Sequence, residues 1–181
     1  MSIKNKSKYK ILHRRVNCTT IPVVKRIINM PQEIRFCQPV GKWWFLSPLA
    51  PFPIKMSVDG ATYTFPSVEH YYQAMKFFAS DPRFNIILQQ KNADDARLIT
   101  KTPEYKIDRR PDFDENKFDI MERGLREKFK QNPDAAEMLK NTGDAILIKS
   151  CPVCYKCGFG EGSGTNRIGK ILMEIRKELQ K

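Results

Sequence analysis

Two stretches carry helical periodicity long enough to decide how this chain packs. Phe118, Met121, Leu125 and Phe129 recur at helical intervals, and Ile168, Ile171, Leu172, Ile175 and Leu179 do so again near the end. Nothing of strand character matches them in length. Val58 to Phe65 reads as a hairpin about the Asp59-Gly60 turn, and Ala145 to Lys149 is one short apolar run. Such short, scattered strands do not make a doubly wound sheet. The expected architecture is α+β, a mainly helical single domain around a small sheet. A chain of 181 residues that is 41% hydrophobic is long enough to bury a substantial core.

Residues 1–40 read as a basic lead-in, partly extended or disordered, with short apolar pieces cut by Pro22, Pro31 and Pro39. The folded domain is expected over 41–181. Its first part is rich in aromatics, from Trp43 and Trp44 to Phe52. Asp81-Pro82 opens a helix through Ile86 to Leu88, and Asn92 opens another with Ala93, Ala96 and Leu98 inward. Asp112 is an expected N-cap with Glu115 as its capping-box partner. Asn132-Pro133 starts a helix with Met138 and Leu139 inward, ended by Gly143.

Composition narrows the partners. The net charge of +12 favours an anionic partner, and the first 26 residues carry basic side chains with no acidic residue among them. That leader is either a solvated tail or an arm that touches nucleic acid. No apolar run approaches the roughly 20 residues of a membrane span, so no membrane partner and a cytoplasmic location are expected. Cys151, Cys154 and Cys157 offer three thiolates, with Cys18, Cys37 or His13 as a possible fourth ligand. A structural zinc site usually pairs two such knuckles, and here there is one. Reduced thiols and no metal are expected.

The segment from Ser67 to Phe78 is the chemical centre. Read as one helix, it places Val68, Tyr71, Met75 and Phe78 on a packed face and Glu69, Gln73 and Lys76 along one flank. A carboxylate and an amine beside a packed face can have pKa values shifted toward neutrality; a plain surface pair is the other reading. Near the end, Gly158, Gly160, Gly162 and Gly164 precede a helix start. Such a loop either presents backbone N–H groups to an anion or is a flexible surface connection. It lacks the ending of a phosphate-binding P-loop.

Several of these motifs, in one order, resemble the NADAR superfamily, which includes N-glycosidases of riboflavin-pathway intermediates. They are Phe45-Leu46-Ser47, Asp59-Gly60, Ser67 to Phe77, Met121 to Phe129, Thr142-Gly143 and Gly164 to Arg176. The resemblance covers about residues 43–179. It implies cleavage of an N-glycosidic bond between ribose C1 and a guanine-like or pyrimidinone amine, with Glu69 and Lys76 catalytic and no cofactor. Substrate contacts are implied for Trp44, Phe45, Ser47, His70, Gln73, Arg110, Phe113, Gly160, Gly162, Gly164 and Asn166. Phe113 stands where the family usually has tryptophan. Cys157-Gly158 stands where it commonly has Trp-Gly, so base stacking there would fall to Phe159 or Tyr155.

Three functions follow as expectations. The first is removal of ADP-ribose from guanine in single-stranded DNA or RNA, which suits the basic leader. The second is an N-glycosidase of phosphorylated riboflavin-pathway intermediates, and the third a non-catalytic ADP-ribose-binding module. In the first two, Glu69 stabilises an oxocarbenium-like ribose. Lys76 either holds phosphate or attacks C1 to form a Schiff base.

Overall fold

The computed structural model describes residues 32–37, 41–150, 158–159 and 163–181. Among them are six α-helices and four short strands. The strands form two separate pairs rather than the one small sheet expected. β1 (Glu33–Phe36) runs parallel to β4 (Ile146–Lys149), with Glu33 opposite Ile146 and Phe36 opposite Lys149. β1 falls within the segment that the sequence assigns to the lead-in, yet Ile34 and Phe36 are core residues.

β2 (Ile54–Val58) and β3 (Ala61–Phe65) make the expected hairpin. Asp59 and Gly60 both take positive φ, 49° and 85°, as a two-residue primed turn requires. Ile54, Met56 and Val58 alternate inward. Phe65 meets Tyr71 and Phe84 edge-on, with ring centroids 5.2 and 5.9 Å apart.

The helices supply most of the packing. α1 (Val68–Ala74), α2 (Pro82–Leu88) and α3 (Ala93–Ile99) each follow a capping side chain: Ser67, Asp81 and Asn92 accept the N–H of His70, Arg83 and Asp95 respectively. α4 (Phe113–Gln131) crosses α1. Asn132-Pro133 turns the chain into α5 (Pro133–Lys140), and α6 (Arg167–Leu179) lies on β4. The two long stripes pack as expected, with Leu125, Phe129, Ile171, Leu172 and Ile175 buried.

Five expectations of detail fail. The segment from Ser67 to Phe78 is not one helix: α1 stops at Ala74, and Lys76 bonds back to the Gln73 carbonyl in a tighter turn. The Lys76 carbonyl accepts the Arg110 N–H at 2.8 Å, which takes the next acceptor out of the helical ladder. The change of phase sends Phe77 into the core and leaves Phe78 48% exposed. Leu98 and Met138 are likewise exposed, because Ala93 and Ala96 on α3, and Ala135 and Leu139 on α5, fill the inward positions. Asp112 makes no side-chain cap bond, since its carboxylate is engaged by Arg110. No helix among the described residues is long and apolar enough to cross a membrane.

Candidate active site

The helix N-terminus and its early stop together create the site. Glu69 lies in the first turn of α1, where its backbone N–H donates to the Pro48 carbonyl at 3.0 Å. Gln73 follows one turn later, and Lys76 sits just past the helix end. Gln73 links the other two: its Nε2 donates to Glu69 Oε1 at 2.6 Å, and its Oε1 accepts from Lys76 Nζ. The amide can satisfy an acceptor on one side and a donor on the other only in this orientation. Thr100, at the end of α3, donates its hydroxyl to the same Gln73 oxygen at 2.7 Å and lies 3.1 Å from Lys76 Nζ. Glu69 and Gln73 are buried.

Burial shifts both ends of this relay toward neutrality. Desolvation raises the Glu69 pKa, against the Gln73 hydrogen bond and the positive charges of Lys149, Lys76 and Arg97. Desolvation lowers the Lys76 pKa to about 8, and the nearby Arg109 guanidinium pushes in the same direction. Near neutral pH a useful fraction of Lys76 is therefore a free amine. Its Nζ sits 5.9 Å from the centre of the Phe113 ring, which in turn meets Tyr72 edge-on at 5.5 Å.

The other candidate residues divide. His70 is buried on the same helix, with Nε2 3.1 Å from the Gln90 carbonyl and Nδ1 2.8 Å from Ser67 Oγ. The carbonyl can only accept, so Nε2 carries the proton and Ser67 donates to Nδ1. Burial lowers the His70 pKa, which keeps this neutral tautomer. Trp44, Ser67 and His70 line a cleft of about 470 Å³ together with Asn92, Asp94 and Asp95. Glu69, Gln73 and Lys76 are not among its lining residues.

Phe45 is a core residue, and Ser47 is buried with its hydroxyl accepting the Leu49 N–H at 3.3 Å. Arg110 is already engaged: it contacts both Asp112 oxygens at 3.2 Å and Asp59 at 3.6 Å, and stacks 4.6 Å from the Phe78 ring centre. Asn166 spends its amide on β4, accepting the Lys149 N–H at 3.0 Å and donating to the Leu147 carbonyl at 2.9 Å. Gly164 is a packing glycine, because a Cβ there would stand 2.4 Å from the Gly158 carbonyl oxygen. Gly160, Gly162, Tyr155 and the cysteines 151, 154 and 157 lie outside the described residues.

Sequence reasoning placed Arg109 in a charged segment that could be a phosphate or substrate loop, or a solvated connection, and missed Thr100, Lys149 and Lys128. Lys128 did carry a signal: it shares the helical phase of Met121 and Leu125, an odd place for a lysine. It is fully buried, with Nζ donating to the Phe45 and Ser47 carbonyls at 2.5 and 2.9 Å. Desolvation, with Lys149 adding repulsion, lowers its pKa to about 7. Thr100 carried no such signal, since only the fold brings it to Lys76.

Fold and site together define a small α+β domain built around a buried carboxylate–amide–amine relay. The NADAR domain model matches residues 35–180. The chain belongs to the NADAR family. It is 31% identical to the N-glycosidase YbiA of Escherichia coli, covering 86% of this chain and 94% of that protein. The NMR structure of YbiA superposes with a TM-score of 0.69 at 30% identity, over 86% of this chain and 90% of the other. The chloroplastic riboflavin biosynthesis protein PYRR of Zea mays is 34% identical over 74% of this chain, and a riboflavin biosynthesis protein of Vibrio vulnificus 37% identical over 83%. The chain spans just 23% and 40% of those two longer proteins.

Proposed function

We propose that the protein is an N-glycosidase that cleaves the bond between ribose C1 and a guanine-type base, removing ADP-ribose from guanine in nucleic acid. The observation that carries the reaction class is the relay itself: a half-buried lysine with pKa near 8, joined through Gln73 to a carboxyl group whose pKa is raised. That pairing suits a nucleophilic amine beside an acid–base group. The name N-glycosidase, carried by relatives such as YbiA, supports the same class.

In this reading Glu69 gives a proton to the departing base nitrogen as the C1–N bond breaks. Its carboxylate then faces the cationic ribose. The neutral Lys76 amine attacks C1 and passes a proton to Glu69. Breaking the ring C1–O bond, with a proton returned to that oxygen, leaves a protonated imine between Lys76 and the opened sugar. Water adds to the imine, and the free sugar aldehyde and the amine are released.

Trapping tests the covalent route. Protein, ADP-ribosylated guanine in single-stranded DNA and cyanoborohydride should give one adduct, on Lys76, by mass spectrometry. Lys76→Arg keeps the charge but not the nucleophile, and should lose adduct and turnover together. Absence of adduct combined with near-normal turnover in Lys76→Ala removes the route. Cleavage with Glu69 and Lys76 both replaced, or no cleavage of any glycoside, favours a binding module instead.

The net charge of +12 favours the nucleic-acid substrate. The names of the maize and Vibrio relatives favour a second substrate, a phosphorylated riboflavin-pathway intermediate. Offering both substrates side by side to one preparation decides between them.

A further inference from the structure

Among the described residues Lys128 is the one cation with no solvent exposure, and the reaction just described does not use it. It has no carboxylate partner in its hydrogen bonds. Its amine instead binds two carbonyls of one turn, Phe45 at 2.5 Å and Ser47 at 2.9 Å. The aromatic rings of Phe52 and Phe129 stand 4.8 and 5.2 Å from the nitrogen. Two carbonyls match the two N–H groups of a neutral amine, and a third N–H of the ammonium form would face a ring, so either form is accommodated.

The turn held in this way is the one that seats the acid. Trp44–Leu46 is a 3-10 turn, and Pro48, next after Ser47, gives its carbonyl to the Glu69 N–H at 3.0 Å. The same end of α4 holds the following segment: Gln131 bonds both backbone groups of Lys55, at 2.8 and 2.9 Å, and Asn132 the Pro53 carbonyl at 3.0 Å. Those two side chains act at the surface, where water can replace them. Lys128 acts where no water competes, so its loss leaves two buried carbonyls without a donor.

We infer that Lys128 is a positioning residue for catalysis, fixing the Phe45–Pro48 turn and through it the backbone on which Glu69 is mounted. This role rests on the glycosidase reading for its effect on rate, though not for its effect on structure. Replacing a lysine placed solely for stability would lower the melting temperature of the protein and leave the folded enzyme's chemistry alone.

Lys128→Met, close in shape but without donors, separates the two. Amide exchange in the folded variant should quicken about tenfold or more at Glu69 and stay unchanged in α6. The kcat should fall about tenfold or more with KM less affected, and Lys128→Gln, which can serve one carbonyl, should fall between. In a Glu69→Gln background, Lys128→Met should cost little further kcat, since both changes act through one group. Unchanged exchange at Glu69, or a kcat loss that adds fully to that of Glu69→Gln, overturns the inference. Should Lys128→Met fail to fold, Lys128→Gln carries the same exchange and kcat comparisons. Should the wild type cleave no N-glycoside, the functional proposal falls, and the exchange measurement still decides whether Lys128 positions Glu69.

Discussion

Lys76 is held near neutrality by burial first and by Arg109 second, with Glu69 and Asp114 pulling the other way. A lysine that works as a nucleophile needs its free-amine form. The rate at which an amine-selective acylating reagent labels Lys76 should therefore rise with pH toward about 8 and level above it. Arg109 makes this position adjustable. Its guanidinium hydrogen-bonds the Tyr105 and Thr100 carbonyls, at 2.9 and 3.3 Å. Arg109→Gln removes a repelling charge, so the Lys76 pKa should move up. The rising limb of that labelling profile should move up with it. A limb that stays in place would show that Arg109 has no hold on the amine. Arg109→Lys, which keeps the charge, should leave the limb close to that of the wild type.

At the scale of elements, α1 reaches its site because α4 lets it come close. A Cβ at Gly124 would stand 2.8 Å from Val68 Cγ1 and 3.0 Å from Tyr71 Cδ1, both on the buried side of α1. Gly124→Ala should gain up to about 1 kcal/mol of helix propensity and lose more through overpacking, about 1–3 kcal/mol. A lower melting temperature in calorimetry is the expected net result, with α1 displaced. Gly169→Ala should be worse, because its Cβ would meet the Leu147 carbonyl oxygen at 2.1 Å, a backbone atom that cannot turn aside.

These contacts also show why the sequence was legible to the extent it was. The stripes of α4 and α6, the Asp59-Gly60 hairpin and the Ser67 cap are local patterns, and all formed. The end of α1 was not legible, because Lys76 gives its carbonyl to Arg110, a residue far along the chain. That one bond changed the fates of Phe77 and Phe78. Gln73 between Glu69 and Lys76 was visible as spacing, whereas its amide orientation depends on Thr100, which reaches it only by tertiary packing. Asn166 looked like a ligand contact and is tied to a strand, a distinction that spacing cannot draw.

For the whole molecule, the balance of charge is the property that bears on the choice of substrate. A net charge of +12 should attract single-stranded nucleic acid through counterion release, so affinity should fall steeply as salt rises from roughly 50 to 200 mM. Removing the basic residues among the first 26 by charge-reversing substitutions should flatten that slope. Cleavage of a small glycoside should be nearly unchanged, as measured by turnover beside a salt titration of binding. Binding that persists unchanged after the reversal would place the attraction on residues beyond the first 26.

The backbone leaves β4 at Lys149 and, before α6 begins, comes back to the same residue. The Phe159 N–H bonds the Lys149 carbonyl at 2.8 Å, and the Asn166 side chain takes the Lys149 N–H at 3.0 Å. Lys149 is also one of the charges that act on Glu69 and on Lys128, so this strand end is an electrostatic neighbour of both. Asn166→Ala would strip the Lys149 N–H and the Leu147 carbonyl of their partners at once, at the point where those charges are anchored. One asparagine thus ties the start of α6 to the strand whose lysine bears on the acid of the candidate site.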